Sequence, residues 1–292
     1  MEIKTVTVIG ANGTMGCNIS GIFASFGNAK VYMACRSLEK AEKAVSRAAK
    51  SVRAEAIAEN LVPVTFDDLP QCVAESDLIF ESVSENFETK QGIIDRIRDH
   101  VRPDAILATG TSGLSIDKLA EMYPEALRPR FIGMHFFNPP YMMTLCEIIE
   151  SEYTDKEMSA FLAEYSKKKL VRTVVNVADT AAFLCNRIGF QFINEACQYA
   201  EMYKDNGGID YIDAILGQFT GRNMPPIATA DFVGLDVHKA IVDNVYANTK
   251  DYARSTFILP EYMQKLIDEG KLGRKVKQGL YKTVVDENGK KI

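Results

Sequence analysis

The stretch from Thr5 to Ala34 constrains this chain more than any other. Thr5-Val6-Thr7-Val8-Ile9 is a short apolar strand, and Gly10-Ala11-Asn12-Gly13-Thr14-Met15-Gly16 follows at once. A helix-periodic segment then runs to Phe26, and a second strand occupies Lys30 to Ala34. Strand, glycine turn, helix and strand in that order make a βαβ unit built to meet a dinucleotide. The glycines allow a tight turn and a close approach of backbone N–H groups to a pyrophosphate, with the helix N-terminus facing the negative charge. The spacing is GxxGxxG, one residue longer than GxGxxG. Gly10, Asn12, Gly13, Thr14, Met15 and Gly16 are the expected cofactor contacts.

The pattern continues. A long helix is expected from Ser37, as N-cap, to about Ala58. Strands follow at Val62-Phe66, Asp77-Glu81, Ala105-Thr109 and Phe131-Met134, alternating with helices near Asn86-His100 and Ser115-Met122. One more helix (Thr154-Lys169) and a strand (Val171-Val177) close this half. From Thr180 onward strand signals vanish, and helix-periodic segments cover Ala181-Tyr203, Ile209-Gln218, Leu235-Lys250 and Glu261-Glu269. The expected fold is α/β: an N-terminal Rossmann-type doubly wound sheet over residues 1–178, followed by an all-α C-terminal domain over 179–292. Gly279 to Ile292 reads as a polar, loosely held tail.

Length and charge narrow the partners. A chain of 292 residues suits two domains, and 47% hydrophobic with 25% charged residues is ordinary for a soluble protein. A net charge of −5 argues against nucleic acid, so a small molecule is the expected partner. No run reaches membrane-spanning length, and no signal peptide precedes the first strand. The six cysteines are scattered without metal-type spacing, as reduced core thiols of a cytoplasmic protein would be.

Two residues stand out chemically. His135, one of three histidines, ends a β-type run and opens into Phe136-Phe137-Asn138-Pro139-Pro140. A histidine at a strand's carboxyl end sits where an open α/β sheet keeps its chemistry. Glu147 lies inside the apolar run Leu145-Cys146-Glu147-Ile148-Ile149, where a charge is costly unless it is partnered. A carboxylate that orients the imidazole would satisfy both. Glu81-Ser82-Val83-Ser84-Glu85-Asn86 and Thr109-Gly110-Thr111-Ser112-Gly113 also end strands, and they face the same crevice as the glycine loop.

These residues resemble the 3-hydroxyacyl-CoA dehydrogenase family over nearly the whole chain. Gly133-Met134-His135-Phe136-Phe137-Asn138-Pro139 with Leu145-Cys146-Glu147 is similar to the family's G-x-H-F-F-N-P…L-V-E signature. Thr111-Ser112 resembles its Thr-Ser loop, and Phe183-Leu184-Cys185-Asn186-Arg187 its F-x-x-N-R helix start. Phe232-Val233-Gly234-Leu235-Asp236, Gly273-Arg274-Lys275 and Gly279-Leu280-Tyr281 resemble markers of its helical domain. The resemblance implies an oxidoreductase acting on a 3-hydroxyacyl/3-ketoacyl-CoA. It makes His135 the catalytic base and Glu147 its partner, with Ser112 and Asn186 bonding the substrate oxygen and Asn138 supporting the site. Glu85 and Lys90 would lie near the nicotinamide ribose, and two copies would pair through the helical domain, which carries Phe190, Phe192, Ile193 and Tyr199.

Some positions depart from the family. Ala181-Ala182 replaces a Pro-Gly, Gly110 and Gly113 replace more polar residues, and Pro225 stands where a glycine is usual. The arm between the second and third strands, which helps hold CoA in the family, is short. A free hydroxy acid or diketone is therefore the alternative substrate. If CoA is bound, Lys43, Arg47 and Lys50 are the nearest basic residues, part of a stripe that Lys40 begins.

The second strand ends differently too. NAD-specific Rossmann domains place Asp or Glu there to hold the adenosine ribose. This chain reads Cys35-Arg36-Ser37, with no carboxylate before Glu39. Arg36 can pair with a 2′-phosphate, and Ser37 adds a hydroxyl at a helix N-terminus. NADP(H) is therefore favoured, with NAD(H) as the alternative. Two rival readings remain: a short-chain reductase using Ser151, Tyr165 and Lys169, and a nucleotide-binding protein without catalysis.

Overall fold

The structure, a computed structural model, describes residues 2–250, 252–282 and 284. The chain divides into two compact units, Met1–Thr180 and Ala181–Ile292.

The first unit is built on one eight-stranded sheet in the order β3-β2-β1-β4-β5-β6-β7-β8. Its strands are β1 (Thr5–Ile9), β2 (Lys30–Cys35), β3 (Leu61–Thr65), β4 (Leu78–Glu81), β5 (Ile106–Thr109), β6 (Phe131–Phe136), β7 (Leu145–Glu150) and β8 (Thr173–Val177). Helices α1 (Thr14–Ser25), α2 (Leu38–Ser51), α3 (Leu69–Glu75), α4 (Phe87–Ile97), α5 (Ile116–Glu121) and α6 (Lys156–Lys168) connect them. β1 to β6 pair in parallel, and these strands are nearly all buried, as strands covered on both faces must be. β1 lies between β2 and β4, so the chain reverses its direction of winding there. Ligands of open α/β sheets bind at such a switch point.

β7 turns back and pairs antiparallel with β6, while β8 joins β7 in parallel. The doubly wound expectation therefore holds, with an antiparallel hairpin at one edge of the sheet. Two expected elements are shorter than their periodicity suggested. α2 stops at Ser51 because Arg53 takes a left-handed φ of 54°, after which residues 55–60 form a 3₁₀ turn. β8 begins at Thr173, after Val171 at φ 56°.

The second unit holds α7 (Cys185–Met202), α8 (Gly208–Leu216), α9 (Pro226–Val233), α10 (Leu235–Asn248) and α11 (Glu261–Asp268). α7 starts four residues later than expected because Ala182 and Phe183 adopt φ of 60° and 53°. α9 was not expected from the sequence; Pro225-Pro226 hides its start, although proline suits a first helical turn. Ala196, Cys197, Ala200, Ile212, Ile227, Leu235 and Met263 form one core, and Ala182, Phe190, Val242, Val245 and Phe257 another.

Phe190 was expected to help form a dimer surface, but it is only 8% exposed and belongs to the second core. Ile193 packs against the first core, and Phe192 lies under the Arg222 guanidinium. The large apolar side chains of α7 that reach solvent are Ile188, Tyr199 and Met202.

Most of the polar tail lies outside the described residues. Its start is not loose: Asp231 accepts from the Leu280 and Tyr281 backbone N–H groups, and the Tyr281 hydroxyl donates to Asp213 at 2.7 Å. Among the described residues, no helix is long and apolar enough to cross a membrane, and no group of His, Cys, Asp or Glu gathers to hold a metal ion. None of the six cysteines forms a disulfide.

Candidate active site

The antiparallel register of β6 and β7 sets His135 directly opposite Glu147. Cross-strand neighbours on one face lie close enough for their side chains to meet, and these do: His135 Nδ1 is 2.7 Å from Glu147 Oε2. Glu147 is fully buried and His135 is 3% exposed. A carboxylate only accepts hydrogen bonds, so the proton on a neutral imidazole resides on Nδ1 and Nε2 is left as an acceptor. Nε2 points to the Ser112 hydroxyl at 3.1 Å. The Phe137 ring closes one side edge-on at 4.6 Å. The result is a line, Glu147–His135–Ser112, whose open end is a hydroxyl.

Ser112 is itself held. Glu85 accepts from the Ser112 backbone N–H at 2.6 Å and from the Thr111 hydroxyl at 2.7 Å. The two strand-end segments after β4 and β5 are thus tied together at their carboxyl ends. Lys90 does not join Glu85. It is 3% exposed and faces Glu81 at 2.6 Å, while Thr109 donates to the same carboxylate oxygen at 2.8 Å. Asn138 is exposed just after β6. Asn186 lies in the first turn of α7 in the second unit, half-buried.

The glycine loop has the shape a pyrophosphate needs. A Cβ on Gly10 (φ 87°) would meet the Ser82 carbonyl oxygen at 2.5 Å, and one on Gly16 would meet the Gly10 carbonyl oxygen at 2.7 Å. α1 starts after Gly13 with no side-chain cap and no acidic residue in its first turn. The N–H groups around Thr14, Met15 and Gly16 are therefore free of side-chain competition and suited to an anion. Beyond the loop, Cys35 is fully buried at the end of β2, whereas Arg36 is exposed and Ser37 makes no capping bond to α2.

One arginine near the loop does more than its place in a basic stripe indicated. Arg47 Nη2 donates to the carbonyl oxygens of Asn12 at 2.9 Å and Gly13 at 3.4 Å. Lys43 pairs with Glu39. Lys43, Arg47 and Lys50, the residues named for CoA, are all exposed. Arg172, likewise unforeseen, is 6% exposed and donates to the Leu170 and Pro140 carbonyls at 2.7 Å, fixing the loop after Asn138.

The short-chain-reductase triad does not assemble. Tyr165 is buried with no partner for its hydroxyl, and burial pushes the phenol's pKa up, against any role as a proton donor. Ser151 is spent on Thr154, and Lys169 points to solvent.

Comparison with known proteins agrees with this layout. The family model described as "3-hydroxyacyl-CoA dehydrogenase, NAD binding domain" matches residues 5–180, and "3-hydroxyacyl-CoA dehydrogenase, C-terminal domain" matches residues 183–283. The chain belongs to the 3-hydroxyacyl-CoA dehydrogenase family.

Within that family, a probable 3-hydroxyacyl-CoA dehydrogenase of Caenorhabditis elegans is 31% identical over 294 residues, covering 96% of each chain. Another from Bacillus subtilis is 32% identical over 223 residues, 76% of this chain but 28% of that longer protein. The crystal structure of a (S)-3-hydroxybutyryl-CoA dehydrogenase from Ralstonia eutropha matches with a TM-score of 0.84 at 32% identity, covering 96% of this chain and 99% of that one. The chain is thus an oxidoreductase of this family with a nicotinamide-binding N-terminal unit.

Proposed function

We propose that the protein interconverts a 3-hydroxyacyl-CoA and its 3-ketoacyl form, with His135 as general base in oxidation and general acid in reduction. The observation carrying this reading is the line from buried Glu147 and His135 to exposed Ser112, in the sheet whose first strand leads into the glycine loop. In oxidation, the substrate's C3 hydroxyl gives its proton to His135 Nε2, and C3 gives up a hydride as its carbonyl forms. A bound nicotinamide supplies the hydride acceptor. Glu147 stabilises the imidazolium, which keeps one N–H toward the carboxylate and one toward the substrate oxygen. The Ser112 hydroxyl is a neutral donor for the oxygen as it gains negative charge. In reduction, His135 returns the proton.

The coenzyme proposed is NADP(H). Support comes from a buried Cys35 where an acid would select NAD, and from the exposed Arg36 and uncapped Ser37 beside it. A charge-assisted contact of this kind contributes about 1.5–3 kcal/mol, enough for a ten- to hundredfold preference. A homodimer formed through the second unit is also proposed, on the exposed Ile188, Tyr199 and Met202 of α7. Light scattering that finds only monomer at micromolar concentration would reject it.

The deciding experiment compares kcat/KM for acetoacetyl-CoA and acetoacetate, each with NADPH and NADH. The thioester and NADPH should win, and Arg36→Ala should remove most of the NADPH advantage. The short connection from α2 to β3 favours a second reading, a free keto acid as substrate. Acetoacetate turning over as well as its CoA ester would establish that reading instead.

A further inference from the structure

Arg47 has no place in the chemistry above, yet the fold takes it to the glycine loop. It stands in the third turn of α2, and its side chain reaches back along the helix to Asn12 and Gly13. Both bonds to the loop carbonyls come from Nη2. Nε and Nη1 keep N–H donors for a further acceptor, with the Cys17 thiol as a weak one nearby.

The neighbourhood of that guanidinium is the end of β2. Cys35, the last residue of β2, feels the charges of both Arg47 and Lys40 and the backbone amide of Asn12. Arg36 is the next residue along the chain. Arg47, held on the loop carbonyls, and Arg36, at the end of β2, are thus both near the place where an NAD-selective domain keeps a carboxylate. Of the acids of α2, Glu39 is paired with Lys43 and also feels Lys40, and Glu42, five residues before Arg47, lies on another face of the helix from it. Planar guanidinium groups match phosphate oxygens in pairs, and one already tethered loses less freedom on binding.

We propose that Arg47 is a specificity-determining residue for the adenosine 2′-phosphate, clamping it from the α2 side while Arg36 holds it from the end of β2. The proposal rests on the NADP(H) reading above and adds a second, tethered cation to it. Because Arg47 also grips the loop carbonyls, phosphate binding and the geometry of the pyrophosphate loop are linked through one side chain.

Calorimetric titration with 2′,5′-ADP and with 5′-AMP, which differ only in the 2′-phosphate, tests this without turnover. The intact protein should bind 2′,5′-ADP more tightly. Arg47→Ala should weaken 2′,5′-ADP about ten- to a hundredfold while changing 5′-AMP less than twofold, and Arg47→Lys should fall between. Equal losses on both ligands would show that Arg47 only braces the loop and would overturn the proposal. If Arg36→Ala removed the 2′-phosphate preference and Arg47→Ala did not, Arg47 alone would be refuted and the NADP(H) reading would stand. Equal affinity of the intact protein for the two ligands would refute both.

Discussion

The chain buries two histidines, and they are used in opposite ways. His135 in the first unit has a carboxylate behind it and a serine hydroxyl in front. His238 in the second unit is fully buried, with Nε2 2.9 Å from the Asn194 amide oxygen, the Phe190 ring 5.4 Å away, and no partner for Nδ1 among the described residues. A carboxamide offers no charge to balance an imidazolium, and burial pushes the His238 pKa down to about 4. Equal burial thus leaves the two rings with different surroundings, and only His135 has both a carboxylate behind it and a far nitrogen facing a hydroxyl, as the proposed acid–base role needs. His238 is a packing element with a hydrogen bond, and Asn194 is shared with the Thr256 and Ile258 carbonyls.

The strongest test of that contrast is to replace each ring. His135→Gln and Glu147→Gln should each lower kcat by about 10²–10⁴-fold with coenzyme affinity little changed. His238→Gln should leave kcat per folded molecule within a factor of about two. If His135→Gln kept most of its turnover, the assignment of the base would be wrong. Ser112→Ala comes next, because it removes a donor at the open end of the line. A kcat loss of about 10²-fold is expected, with the loss seen in single-turnover rates as well.

The third prediction concerns pH. The unfolded chain protonates His238 near its ordinary value of 6.5, the folded chain only near 4, so folding favours the neutral ring. Its contribution is complete above pH 6.5 and is lost as pH falls through that window, to a maximum of about 3 kcal/mol. Urea midpoints measured from pH 7.5 to 4.5 should drop more steeply for the parent protein than for His238→Gln; parallel curves would remove His238 from the account. The smallest effect belongs to Tyr165, which like His238 Nδ1 carries a buried polar atom without a partner among the described residues. Tyr165→Phe should raise stability by about 1 kcal/mol, since it deletes an unsatisfied hydroxyl, and should leave turnover unchanged. A several-hundredfold loss of turnover would instead revive the reductase triad.

Much of this was legible in the sequence because it is local or periodic. The glycine turn announces itself between two apolar strands, and Glu147 betrays a partner because it interrupts an apolar run. His135 and Glu147 could be paired from sequence since both fall in one hairpin. What stayed hidden depends on contacts between distant segments. Arg47 looks like any lysine-helix neighbour until α1 and α2 pack and bring it to Asn12. Lys90 was expected beside Glu85 near the nicotinamide ribose, yet the end of β4 supplies Glu81 to bury it. Asp213 and Asp231 carry no signal that they hold Tyr281, because the partners are far apart along the chain. Local backbone choices such as the left-handed Arg53 were missed for another reason: nothing in its side chain announces that conformation.

The hairpin of β6 and β7 has a consequence for how such a protein can change. His135 and Glu147, the proposed base and its partner, sit on adjacent strands in fixed register, and the connection between them, residues 137–144, closes no part of that register. Substitutions or insertions in that connection can reshape what approaches the imidazole while leaving its carboxylate in place. A single-residue insertion within either strand has the opposite outcome, because a one-residue slip sends a side chain to the other face of the sheet. Evolution, or a designer, therefore has a variable segment bolted to an invariant one, and new substrates are most easily sought in the former.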